Sequence, residues 1–139
     1  MKVYLDANIL VTVLNQEYPL FSSAARVVSL SSKSFELYTS AVCLAIAFYF
    51  ASKKHGAKNA KAKIALLINH IHITGCGEAE AQAAASNKRI SDFEDGMQYY
   101  SAVHSGCTCI ITEDRKDFHF SEIEVLSSVD FLRKYVVAK

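Results

Sequence analysis

Five aspartates carry the chemistry this chain has to offer: Asp6, Asp92, Asp95, Asp114 and Asp117. Asp6 directly follows an apolar run, Val3-Tyr4-Leu5. Asp92 and Asp95 open a helical segment. Asp114 and Asp117 follow the apolar run Cys107–Ile111. Carboxylates brought together repel one another unless a cation sits among them. An all-oxygen donor set suits a hard divalent ion such as Mg²⁺ or Mn²⁺. Such ions activate water and stabilise oxyanions in phosphodiester hydrolysis. Each acid also has a plainer use. Asp6 could cap the helix after it, Asp92 and Glu94 suit a helix N-terminus, and Asp114 and Asp117 suit turns.

Whether the acids meet depends on the elements between them. Lys2–Leu5 reads as a strand, and Ile9, Leu10, Val13 and Leu14 follow at helical spacing. A helix from about Pro19 to Leu30 comes next. Phe35–Thr39 reads as a strand, with Ser40 placed to cap a helix over Ala41–Lys54. That helix is apolar nearly all round in its first part, so most of it is expected to be buried. Gly56 ends it, and Ala57–His70 forms another helix with lysines on one side. Ile71–Thr74 is a third strand and Glu78–Asn87 an Ala-rich helix. Ser91 and Glu94 have the spacing of a capping box. The helix they open carries Phe93, Met97, Tyr100 and His104 on one face and closes at Gly106. Cys107–Ile111 is a buried strand, Thr112–Phe118 a polar loop, Val125–Leu126 a last strand and Ser127–Val137 a final helix.

Strands alternate with helices and no hairpin signals appear, which predicts an α/β fold with a mainly parallel sheet covered by helices. In such a sheet ligands bind beyond the carboxyl ends of the strands. Asp6, Asp114 and Asp117 follow strands. The helix opened by Asp92 and Asp95 runs antiparallel to the strand after it, so its start lies at the same edge. The acids are therefore expected to converge.

Composition narrows the classes. With 139 residues, 51% hydrophobic and a net charge of +1, the chain suits one globular domain over residues 1–139, without internal repeat or linker. The longest apolar run, Ala41–Ala51, falls short of the ~20 residues a membrane helix needs. The N-terminus has no signal-peptide pattern, and four cysteines without a zinc spacing suit reduced thiols, so a cytoplasmic protein is expected. Charge is uneven: residues 33–70 carry six Lys and one Glu, whereas residues 71–139 carry eleven acids and seven bases. Ordinary solvated faces explain this, as does a basic shoulder beside an acidic site. Cys107, Cys109 and His104 read as core rather than metal ligands, His70 and His72 as surface, and Tyr99 and Tyr100 as packing. No GxGxxG, P-loop or serine nucleophile elbow is present. Asn8 stands where a dehalogenase-type phosphatase needs a second Asp, and the acidic pair and late Lys of a receiver domain are missing.

The segments VYLDANILV, SDFEDGMQYY and CIITEDRKDF, in this order and spacing, resemble the PIN domain family, near the toxin members of type II toxin–antitoxin modules. The resemblance spans essentially the whole chain. It implies an α/β/α sandwich on a five-stranded parallel sheet and Mg²⁺- or Mn²⁺-dependent RNA cleavage by a carboxylate cluster. It gives Asp6 as the first metal ligand, with Asn8 as its polar helper. Asp95 is then the acid opening the helix, and Asp114 or Asp117 the last acid, Asp117 matching the family's Asp-Phe pair. Thr112 is implied as a contact to water on the ion, and Asp92 and Ser40 as accessory residues. It implies an antitoxin partner as well. One departure matters: the family's glutamate, about six residues past Ser40, is replaced by Ile46, or by Ala45. The alternative is a weakened PIN-fold protein that binds RNA or another protein without cutting. Phe48, Tyr49 and Phe50 cannot all point inward from one helix, which predicts a homodimer or an antitoxin segment over that surface.

Overall fold

The computed structural model describes residues 1–32 and 34–137. The apolar run at the N-terminus forms β1, Lys2–Leu5, in which Val3, Tyr4 and Leu5 are wholly buried. A strand buried on both faces must sit inside a sheet, and β1 pairs with β2 (Glu36–Ser40) on one side and β4 (Cys109–Ile111) on the other. β3 (His72–Thr74) lies outside β2 and β5 (Glu124–Leu126) outside β4. All four pairings are parallel and the order is β3-β2-β1-β4-β5. The chain moves outward from β1 on one side, then returns to β1's other side through β4. The crevice beyond the carboxyl ends of β1 and β4 is thus the topological switch point, where open parallel sheets bind ligands.

Helices flank this sheet, as expected. α1 (Ala7–Asn15) packs on α2 (Phe21–Val28) and α3 (Ala41–His55), and α3 packs on α4 (Ala57–Leu67). α5 (Glu78–Ser86) lies along α6 (Phe93–His104), and α7 (Ser128–Leu132) meets α2. A π-helical turn over Arg133–Val137 replaces the second half of the expected final helix. Among the described residues no helix is long and apolar enough to cross a membrane.

Two expectations fail in detail. α6 is capped by Asp92, whose Oδ1 accepts from the Asp95 N–H at 3.2 Å, so the box from Ser91 to Glu94 does not form and Glu94 is left free. α6 turns Gly96, Tyr99 and Ala102 inward and leaves Phe93 48% exposed. At Gly96 α5 lies close, and a Cβ there would stand 2.9 Å from the Ala84 Cβ. Finally, only Cys43, Ala47 and Ala51 of α3 are buried. α3 inserts one narrow stripe of small residues and leaves its aromatics at the surface.

The contact at Gly96 fixes the height of α6, and hence of its neighbour Asp95. Gly96→Val should lower stability by about 1–3 kcal/mol through overpacking. A thermal melt of the two proteins measures the difference.

Candidate active site

The site is organised around Asp6. Its backbone N–H continues the β-ladder to the Ile111 carbonyl at 3.0 Å, and its carboxylate caps α1 by accepting from the Ala7 N–H at 2.6 Å. The second carboxylate oxygen accepts from the Thr112 hydroxyl at 2.7 Å. Capping and site membership are therefore joint roles of one side chain. Thr112 is buried just past β4, and its oxygen also accepts from Asn8 Nδ2 at 3.1 Å and the Asp114 N–H at 3.0 Å. Asn8 Oδ1 in turn accepts from the Glu113 N–H at 3.2 Å. The hydroxyl thus has its proton and both lone pairs in use. Thr112 positions Asp6 and the following loop through these three bonds.

The loop after Thr112 is not the plain loop expected. It holds a 3₁₀ turn, Arg115–Phe118, in which buried Phe118 anchors the chain and its neighbour Asp117 stays exposed. Glu113 ties the loop to α7 by accepting from the Ser128 N–H at 3.1 Å and the Ser128 hydroxyl at 2.7 Å.

A cavity of about 390 Å³ lies above Asp6, lined also by Asn8, Glu17, Ile46, Phe50, Glu94, Asp95, Gln98 and Asp117. Asp6, Asp95 and Asp117 are brought together as expected. Asp117 rather than Asp114 reaches the cavity; Asp114 stands beside it at the start of the turn. Asp92 lies on the outer side, in a smaller recess with Asp95, Asp117 and Lys116. Ser40 does not reach the cavity. It is a buried cap that accepts from the Cys43 N–H at 3.2 Å and the Tyr4 hydroxyl at 2.8 Å, so its accessory role is structural. Ile46, not Ala45, lines this cavity with the acids.

Glu17, Glu94 and Gln98 escaped the reading of the sequence as site residues. Gln98 had a signal: it follows Asp95 by three residues and Glu94 by four, so all three share a helix face. Gln98 is only 2% exposed and its Oε1 has no hydrogen-bond partner among the described residues. An unpaired buried carbonyl oxygen costs about 1–3 kcal/mol.

Among the described residues, no Lys, Arg or His lines the cavity. Burial, with added repulsion from Asp117 and Glu94, raises the Asp6 carboxyl to about 6 despite its bonds to Thr112 and Ala7. Burial and the charges of Asp92, Asp117, Asp6 and Glu94 raise Asp95 to about 7. Partial burial and neighbouring Asp114 raise Asp117. Among the described residues no three His, Cys, Asp or Glu side chains are close enough to grip an ion as they stand. Asp6 is fixed by its two bonds, whereas Glu94, Asp95 and Asp117 stand on the accessible side and have rotamers to converge with. Clustered carboxylates, an unpaired amide oxygen and no lining cation fit a hard divalent ion.

Residues 2–116 match the PIN domain family, and the chain belongs to it. It is 29% identical to ribonuclease VapC1 of Aquifex aeolicus, over 96% of this chain and 95% of that protein. Its fold resembles the crystal structure of VapBC2 from Rickettsia felis bound to a promoter DNA fragment, with a TM-score of 0.72 at 17% identity, over 90% of this chain and 97% of that one. It also resembles VapC20 of Mycobacterium tuberculosis, a toxin that cleaves the sarcin–ricin loop, with a TM-score of 0.70 at 15% identity, over 88% and 98% of the two chains.

Raised carboxyls mean that the folded chain binds protons more readily than the unfolded one. The stability they contribute is fully present below the ordinary aspartate value of 3.8 and is lost as pH rises through about 7, the Asp95 value. Metal-free protein should therefore melt lower with rising pH across that window. Asp95→Asn should flatten the dependence and gain on the order of 1 kcal/mol near neutral pH, a figure reduced for solvent screening of a half-exposed group. Melting curves in chelator across the window test this, and an unchanged slope refutes it.

Proposed function

We propose that the protein is a divalent-metal-dependent endoribonuclease acting in the cytoplasm as the toxin of a toxin–antitoxin pair, with Asp6, Asp95 and Asp117 as metal-binding catalytic acids. The observation that carries this is their meeting at the switch point of a PIN domain, in a cavity whose lining holds no cation. The likeness to a ribonuclease along nearly the full chain supports the choice of RNA. Mg²⁺ or Mn²⁺ bound there would supply activated water and charge stabilisation at the phosphoryl oxygens. The chain's own part is positional. Asp6 is held at a fixed angle by Ala7 and Thr112, and Asn8 ties that arrangement to the loop bearing Asp114 and Asp117. Asp95 faces them from the first turn of α6, with Asp92 as its cap.

Ile46 favours a second reading, in which turnover has weakened and the protein chiefly binds RNA or a partner. It meets the acids with hydrocarbon. The two readings part on cleavage of single-stranded RNA. As a nuclease, the protein cuts with Mn²⁺ or Mg²⁺ and stops in chelator. Asp6→Asn, which keeps one of its two accepted bonds, and Asp117→Asn should each lower the rate on the order of 100-fold or more while remaining folded. Parental rates in Asp6→Asn would reject the assignment. Ile46→Glu should tighten Mn²⁺ binding and speed cleavage, since its position faces the acids.

Assembly belongs to the same proposal. Phe48, Tyr49 and Phe50 are 37%, 54% and 46% exposed, a cluster that a homodimer or an antitoxin segment would cover. Sedimentation should show a dimer, or a complex when co-expressed with the protein encoded next to it. A monomer at high concentration with no co-purifying partner argues against both.

A further inference from the structure

The two long walls of the cavity differ in chemistry. α3 contributes Ile46 and Phe50, which carry no oxygen; α6 contributes Glu94, Asp95 and Gln98. Glu94 and Ile46 also share the adjoining recess with Ala45, Tyr49 and Phe50, so they face one another across the mouth. Glu94 forms no ion pair among the described residues, and the helix is capped by Asp92 without it. One turn along the same face, Gln98 is buried with its Oε1 unpaired. A buried acceptor without a donor at the side of a cavity calls for a partner, a water or a cation, and the acids around this one favour a cation.

We infer that Glu94 is a direct carboxylate ligand of the divalent ion and that Gln98 Oε1 supplies a neutral oxygen beside it, so that α6 provides the donors that α3 lacks. This rests on the reading of the cavity as a metal site. A glutamate has one methylene more than the aspartate beside it, which gives it the reach to turn from the helix rim towards Asp6. The apolar wall opposite leaves that space to Glu94 and offers it no competing hydrogen bond.

Mn²⁺ affinity of the intact protein, measured by calorimetry and by the free-ion electron paramagnetic resonance signal, tests the assignment without reference to turnover. Glu94→Gln should bind at least about tenfold more weakly, a loss of about 1.4 kcal/mol. Glu94→Asp keeps the charge but withdraws it by one methylene, and should also weaken binding several-fold. Gln98→Met, similar in shape, should weaken Mn²⁺ binding while the melting temperature in chelator holds or rises, since a buried unpaired oxygen has gone. Parental affinity in Glu94→Gln overturns the role of Glu94, as does parental affinity in Glu94→Asp, which would mean a field effect only. Parental affinity in Gln98→Met overturns the role of Gln98. Asp6→Asn separates these results from a failure of the site itself. No Mn²⁺ binding by the parent, or unchanged binding in Asp6→Asn, overturns the metal site and the inference with it.

Discussion

The hydrogen bond from the Thr112 hydroxyl to the buried carboxylate of Asp6 is the contact on which the site depends. It joins the ends of β1 and β4, two strands over a hundred residues apart in sequence that the parallel ladder holds side by side. A buried carboxylate is costly without donors. Here it has two, the Thr112 hydroxyl and the Ala7 N–H, and each also serves the fold. The first fixes the loop after β4 and the second starts α1. Asn8 closes the circuit by bonding both Thr112 and the Glu113 backbone. Asp6 is therefore the one acid whose position is settled before any ligand arrives.

The other acids are held more loosely, for a physical reason. Their repulsion is relieved by exposure to solvent and by protonation, and no lining cation relieves it from within. Asp95 keeps its place because α6 is locked against α5 at Gly96, and Asp117 because Phe118 next to it is buried. Packing near each acid fixes its backbone and leaves its carboxylate free to turn. The arrangement stands only at the expense of raised carboxyls, which links folding stability to proton binding at these residues.

The large features of the fold were legible in the sequence because they rest on local rules. Apolar runs made strands, helical spacing made helices, and the lack of hairpin signals meant parallel pairing, which the register of all four strand pairs bears out. The exposed aromatics of α3 were legible too, since three consecutive large side chains cannot share one helix face. Caps were less so. Ser91 and Glu94 had the right spacing, but Asp92 offered an acceptor one residue closer to the first turn and took the position. The inward face of α6 was set by tertiary packing: Gly96 lies too close to α5 for a side chain, Tyr99 and Ala102 are buried with it, and Phe93 stays at the surface.

By itself the sequence determined the strands, the acids that follow them and the edge at which they would gather. These follow from residue type and period, which each segment carries alone. Only the tertiary structure decided that Asp117 rather than Asp114 reaches the cavity, that the hydrogen bonds of Thr112 are all spoken for, and that Ile46 faces Glu94. The reason is that side-chain direction at a turn or a helix rim is set by neighbours from other elements. The 3₁₀ turn anchored by Phe118 aims Asp117, and the narrow stripe of Cys43, Ala47 and Ala51 sets the rotation of α3 that turns Ile46 towards the acids.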